Sequence, residues 1–128
     1  MEKYIEQFIL SADSKALATL SPDGIINVVP VSSIKVVDGK IILVNYFMDK
    51  TLENITANNK VSLVAWSKMV GYQIKGSVEY TTQGNVFDDV VIWIKETIPS
   101  RTVKGVLIIS PEEIHDIAPG KNTKESLV

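Results

Sequence analysis

Apolar and polar positions follow two rhythms along this chain, and the points where one replaces the other mark its elements. In residues 2–12 the apolar side chains Tyr4, Ile5, Phe8, Ile9 and Ala12 fall on one helical face, which predicts an amphipathic N-terminal helix. Asp13 and Ser14 end it. Residues 16–20 then read as a short strand, and Ser21-Pro22-Asp23-Gly24 supplies the proline and glycine of a tight hairpin turn. A second strand is expected over residues 25–37, rich in Val and Ile and interrupted by Pro30, which cannot donate to a ladder and so belongs at an edge or a bulge.

Asp38-Gly39 is a strong hairpin signal, returning the chain as a third strand over residues 41–46. Leu52 and Ile55 give residues 51–58 helical spacing, with Asp49 or Lys50 at the start. Residues 61–66 and 72–80 read as strands four and five, the latter carrying Gly76, which points to a bend or a close backbone approach. Val86, Val90, Ile94 and Ile98 form a helical stripe over residues 85–98, with Asn85 as the expected cap and Pro99 as the stop. Residues 103–109 make a last major strand, Pro111-Glu112-Glu113 a turn, and residues 114–117 a short extension. A loosely ordered polar tail is expected from Gly120.

This order predicts a single mainly-β domain over residues 1–128, a six-stranded antiparallel barrel flanked by helices. The Asp23-Gly24 and Asp38-Gly39 hairpins argue against a parallel sheet, which needs a crossover after most strands. One domain also suits 128 residues, enough for one hydrophobic core.

Composition narrows the function classes. A net charge of −2 without a Lys/Arg run lacks the footprint of nucleic-acid binding. The absence of cysteine removes disulfides, thiolate catalysis and thiolate metal sites. No apolar run approaches the roughly 18 residues of a membrane helix, and the mixed charge of Met1-Glu2-Lys3-Tyr4 does not open a signal peptide, so a cytoplasmic location is expected.

Candidate chemistry gathers in residues 29–54. Val29, Pro30, Val31, Ser32 and Ser33 are followed by a strand ending in Val44, Asn45 and Tyr46, and then by Asp49-Lys50-Thr51 opening a helix. A helix N-terminus offers unpaired N–H groups and a positive dipole end, so Lys50 and Thr51 beside it suit a phosphate. As a lone dipeptide they would be an exposed lysine and a cap; the order of elements around them favours the phosphate. Ser32 and Ser33 have opposite strand parity, and Ser32 is the one expected to face a ligand. His115, without a second histidine, is expected to be structural, Glu112 and Glu113 a solvated turn, and Trp66 and Trp93 core or interface residues.

Taken together, Ala18-Thr19-Leu20-Ser21-Pro22-Asp23-Gly24, Val29-Pro30-Val31-Ser32, Lys50-Thr51 with Asn54-Ile55, Lys75-Gly76, and Ile114-His115-Asp116-Ile117-Ala118-Pro119-Gly120 resemble the pyridoxamine 5'-phosphate oxidase-like, FMN-binding split-barrel superfamily, in its short single-domain form. The resemblance implies a split barrel, FMN as cofactor, and a homodimer with two sites between its subunits. It implies that Val29 to Ser32 lie along the flavin, that Val44, Asn45 and Tyr46 line the site, and that Lys50 and Thr51 hold the phosphate. Tyr72 and Gln73, or residues 93–101, would close it from the partner subunit. The implied activity is that of an oxidoreductase between a reduced nicotinamide-type donor and a small-molecule acceptor. The alternatives are a non-enzymatic FMN carrier or dimeric binding module, and a deazaflavin-dependent reductase. The longer true oxidase has a more basic phosphate motif and a C-terminal arginine and histidine segment that this sequence lacks, so vitamin B6 oxidation is not expected.

Overall fold

The computed structural model describes residues 1–121 and 124–128. Its elements run α1 (Lys3–Ser11), β1 (Ser14–Leu20), β2 (Ile26–Pro30), β3 (Ile34–Val37), β4 (Lys40–Asn45), α2 (Lys50–Ala57), β5 (Lys60–Ser67), β6 (Val70–Thr81), α3 (Asn85–Thr97) and β7 (Gly105–Asp116). The strands form one antiparallel sheet in the order β2-β1-β5-β6-β7-β4-β3.

The two edge strands, β2 and β3, are consecutive in the chain and joined by residues 31–33 alone. Laid flat, seven strands would put those edges roughly 29 Å apart. The connection reaches roughly 14 Å when fully extended. The sheet must therefore curl until its edges approach, and the result is a barrel split between β2 and β3.

The split explains the main departure from expectation. The strand expected over residues 25–37 is two strands, which makes seven instead of six, because the first half pairs with β1 and the second with β4 on the opposite edge. Pro30 is the last residue of β2, and the ladder continues once more through the Val31 N–H donating to the Lys15 carbonyl at 3.0 Å. The hairpin residues Asp38 and Gly39 both take positive φ, as a tight two-residue turn requires. A second departure lies in β7, which runs unbroken through Pro111 to Asp116 where a turn was expected. A register shift at Lys75/Gly76 places Gly76 opposite Pro111, so the residue without an N–H sits at a bulge.

Strand alternation sorts side chains to two cores. Ile41, Leu43, Leu107 and Ile109 point into the barrel with Leu17, Leu63, Ile74 and Ile114, and Ile5 and Ile9 of α1 plug that core. Ile42, Val44 and Val106, offset by one, point outward and are covered by Val90 and Ile94 of α3. The cap of α3 is Gly84 with φ 98°, and Asn85, the expected cap, is already the first helical residue with no capping bond from its side chain.

The end of the chain does not trail free throughout. Residues 122 and 123 of the expected loose tail lie outside the described residues, but the Leu127 N–H donates to the Ile114 carbonyl at 2.7 Å and the Ile114 N–H to Ser126 Oγ at 3.0 Å. His115 joins the same seam, its Nδ1 3.1 Å from the Glu125 carbonyl and its Nε2 3.1 Å from Glu113 Oε1.

Tyr72 sits beneath α1, edge-on to Phe8 at 5.4 Å and to Tyr4 at 6.5 Å between ring centroids. Burial pushes its phenol above the usual value near 10, helped by Tyr4 and Asp116. The folded chain thus favours the protonated phenol, so the associated stability is complete below pH about 10 and is lost as pH rises through the raised value. Urea unfolding between neutral pH and pH about 11 should show a steeper alkaline loss in the wild type than in Tyr72→Phe. Identical alkaline slopes would refute this role for Tyr72.

Candidate functional site

The site is built where α2 closes the barrel beside the split. Along β2, Val29 points inward and packs against the barrel core, as does Val31 just beyond it, while Ile26, Val28, Pro30 and Ser32 are exposed on the outer side. The inward parity also holds for Asn27, whose Nδ2 lies 3.4 Å from Thr51 Oγ1. That contact ties β2 to the first turn of α2. Opposite Asn27 on β1, Thr19 is buried and its Oγ1 accepts from Asn54 Nδ2 at 3.0 Å. Thr51 and Asn54 are three apart in α2 and so share the helix face that reaches the barrel.

This polar seam is costly and therefore positional. Asn54 is fully buried, and its Oδ1 has no partner among the described residues. Thr19→Val, which keeps the shape, removes the side-chain bond that Asn54 makes and should destabilise the fold by about 1–3 kcal/mol. Adding Asn54→Leu removes the stranded amide, so the double variant should regain most of that loss in chemical denaturation. A double variant as unstable as the sum of the singles would contradict this account.

In the first turn of α2 Lys50 is exposed and Thr51 is buried. Asp49 stands at the N-cap with no side-chain capping bond, and the first intrahelical bond runs from the Glu53 N–H to the Asp49 carbonyl at 3.1 Å. The N–H groups of Lys50, Thr51 and Leu52 therefore precede the helical ladder at its positive end. Lys50 is half exposed and its Nζ is 3.3 Å from Glu53 Oε1. Such an exposed pair contributes little, so the ammonium is free to reorient. Asp23, in the β1–β2 turn, is held below the usual carboxylate range first by the Ser21 hydroxyl and its own backbone, and also by the Lys50 charge.

Beside the split lies an open groove of about 550 Å³, within the range of small-molecule sites. It is lined by the strand from Val28 to Ser32 together with Lys15, Ala16 and Trp66. Ser32 faces this groove, whereas the Ser33 hydroxyl is bound to Tyr46 Oη at 2.7 Å, stapling the crossing to the end of β4. The remaining expected site residues lie elsewhere in this subunit, Tyr72 and Gln73 being the ones expected to act from the partner subunit. Val44 packs under α3, and Asn45 spends its side chain on Tyr80 Oη at 2.9 Å and on the Met48 N–H at 2.7 Å. Tyr72 belongs to the α1 side of the barrel. Gln73, of opposite parity, lies on the outer face with its Nε2 on Ser62 Oγ at 3.0 Å. Asn27 was not singled out from the sequence, although a polar residue at an inward position between Val29 and Ile25 is the signal that would have marked it.

A curled antiparallel sheet split between consecutive edge strands, with a helix start opening beside the split, defines the architecture of an FMN-binding-type split barrel. The chain belongs to the pyridoxamine 5'-phosphate oxidase family, whose model matches residues 1–118. It is 35% identical over 124 residues to an uncharacterized protein of Methanocaldococcus jannaschii, covering 92% of this chain and 83% of that one. Its fold matches the crystal structure of HupZ from Group A Streptococcus with a TM-score of 0.84 at 23% identity, covering 96% of this chain and 98% of the other. It also matches an FMN-binding protein from Syntrophomonas wolfei with a TM-score of 0.80 at 18% identity, covering 89% and 84%.

No helix among the described residues is long and apolar enough to cross a membrane. No group of three or more His, Cys, Asp or Glu suited to a metal ion occurs among them.

Proposed function

We propose that the chain is a cytoplasmic, homodimeric FMN-binding flavoprotein that acts as an oxidoreductase between a reduced nicotinamide-type donor and a small-molecule acceptor. The observation that carries the reading is the uncapped start of α2, with Lys50 and Thr51 on it, joined through Asn27 to the strand that lines the groove. Three free N–H groups, an ammonium and a hydroxyl match the acceptor oxygens and double charge of a phosphate monoester. The extended edge from Val28 to Ser32 offers backbone and apolar surface along which a planar ring system and its polyol chain fit. Membership of the oxidase family and the likeness to an FMN-binding protein point the same way. When bound, FMN supplies the redox chemistry, and the protein's part is to hold its phosphate, orient its ring and exclude water.

The homodimer has its own support in the outer face of β2, β1 and β5. Leu20, Ile26, Val28 and Trp66 are exposed there, with small Ala16 and Ala18 between them in register with Pro30 and Val28. A contiguous apolar face of this kind is characteristic of an interface. A second copy laid on it closes the groove, which this subunit alone leaves open.

The groove carries no histidine, and its titratable side chains are Asp13 and Lys15. That favours, as the second reading, an FMN carrier without turnover. The deciding experiment is the visible absorption spectrum of the purified protein with mass identification of any released molecule, followed by turnover with reduced nicotinamide and an artificial acceptor. Flavin bands, released FMN and turnover are the expected results. Bound FMN without turnover would select the carrier, and a released deazaflavin would select that cofactor. A colourless protein that takes up no added FMN would overturn the flavin reading.

A further inference from the structure

Next to the helix start, the loop between β4 and α2 holds an exposed phenyl ring with two cations near it. Phe47 is 77% exposed. The Arg101 guanidinium lies 5.7 Å and the Lys104 ammonium 5.6 Å from its centroid, and Arg101 also lies 5.0 Å from the ring of Tyr46. Both cations are exposed, and among the described residues neither has a carboxylate within ion-pair distance. Two like charges gathered on one ring repel each other, and no ion pair among the described residues offsets that repulsion.

The frame behind the cluster is rigid and polar. Asn45, 1% exposed, accepts the Met48 N–H on its side-chain oxygen at 2.7 Å and the Lys104 N–H on its carbonyl at 2.9 Å, while its amide donates to Tyr80 at 2.9 Å. One buried residue thus fixes the loop that presents Phe47 and the strand entrance that presents Lys104. Arg101 is set by its own N–H on the Ile98 carbonyl at 3.0 Å, and Tyr46 by Ser33. The cluster is consequently continuous with the split at Ser33 and stands three residues before Lys50.

From this we infer that Phe47, Arg101 and Lys104 form a subsite for an adenine nucleotide, the base stacking on Phe47 and the phosphates pairing with the two cations. A flat π-face beside unneutralised positive charge is what a planar base joined to phosphate requires. The inference deepens the flavin reading and rests on it. The adenylate arrives either as half of a dinucleotide electron donor or as part of a flavin dinucleotide.

The first test is calorimetric titration of the intact protein, as purified, with ADP at low salt. ADP is expected to bind, about tenfold or more weakly in Phe47→Ala and in the Arg101→Ala, Lys104→Ala double variant, with Arg101→Lys retaining part of the affinity. Lys50→Ala with Thr51→Ala should leave ADP binding unchanged. Phe47, Lys50, Arg101 and Lys104 are exposed and Thr51 is buried, and unaltered thermal melts confirm that the variants fold. No ADP binding, or binding lost only with Lys50 and Thr51, would overturn the subsite. ADP binding with the expected pattern in a protein that takes up no flavin would sink the flavin reading and leave the subsite standing. Two further arms identify the source. FAD binding at least tenfold tighter than FMN, with the advantage lost in the variants, assigns the adenylate to the cofactor. Equal FMN and FAD affinities, with a raised KM for reduced nicotinamide dinucleotide at unchanged kcat in the variants, assign it to the donor.

Discussion

Replacing both Lys50 and Thr51 by alanine is expected to weaken FMN binding by about 100-fold or more. Hydrogen bonds to a charged group contribute about 1.5–3 kcal/mol each, and every 1.4 kcal/mol is a factor of ten, so two such contacts are worth about two to four decades. Competing interactions are small. The ion pair of Lys50 with Glu53 is exposed on both sides and restrains the ammonium weakly. Glu53→Gln should therefore tighten FMN a few-fold by removing a rival anion. Thr51 is buried, so its loss also frees Asn27 Nδ2, and Thr51→Ser is the control that keeps the hydroxyl. Fluorescence titration of apoprotein with FMN measures all three variants. If the double alanine variant binds within threefold of wild type while its melt is unchanged, the phosphate is held elsewhere.

The largest expected effect on stability belongs to Gly76→Ala, at about 3 kcal/mol, the upper end of the range for forcing extra volume into a packed structure. A Cβ on Gly76 would stand 2.2 Å from the Ser110 carbonyl oxygen and 3.3 Å from Pro111 Cα. These are backbone atoms of β7 on the neighbouring ladder, so no rotamer change relieves the clash. Relief requires pulling β6 from β7 at the bulge, along the longest strand pair of the barrel. The melting temperature should fall by about 10 °C. Gly24→Ala is the informative contrast. Its Cβ meets nothing within 4 Å, but its φ of 84° strains any L-residue, so about 1 kcal/mol is expected. Equal losses in the two variants would refute close approach as the dominant constraint at Gly76.

The two substitutions probe features that differ in how openly the sequence displays them. The glycine in residues 72–80 signals a bend or close contact because any glycine in an apolar strand does. Its partner is hidden, since Pro111 read alone breaks a strand and only pairing with a bulge keeps β7 whole. Likewise Pro30 marks an interruption, yet its meaning as the point where the chain leaves one edge of the sheet for the other follows only from the strand order. Lys50 and Thr51 are legible because a helix start is a local event. Asn27, Arg101 and Lys104 are not, because each acquires its partner from a distant part of the chain.

By itself, then, the sequence determined most of the elements and the alternation within them, but not the division of residues 25–37 into two strands or the continuity of β7. Alternation in residues 41–46 assigns Ile41 and Leu43 to one face and Ile42 and Val44 to the other without reference to anything distant, and the stripe of Val86, Val90 and Ile94 assigns α3 its buried face. These follow from side-chain periods of two and 3.6, which are properties of the local backbone. Tertiary structure decided which polar side chains meet: Asn27 with Thr51, Thr19 with Asn54, Ser33 with Tyr46, and Arg101 with Phe47. Those contacts depend on how far the sheet curls before its edges approach. Curl is set by the sum of all seven strands, and no local stretch of sequence carries that sum.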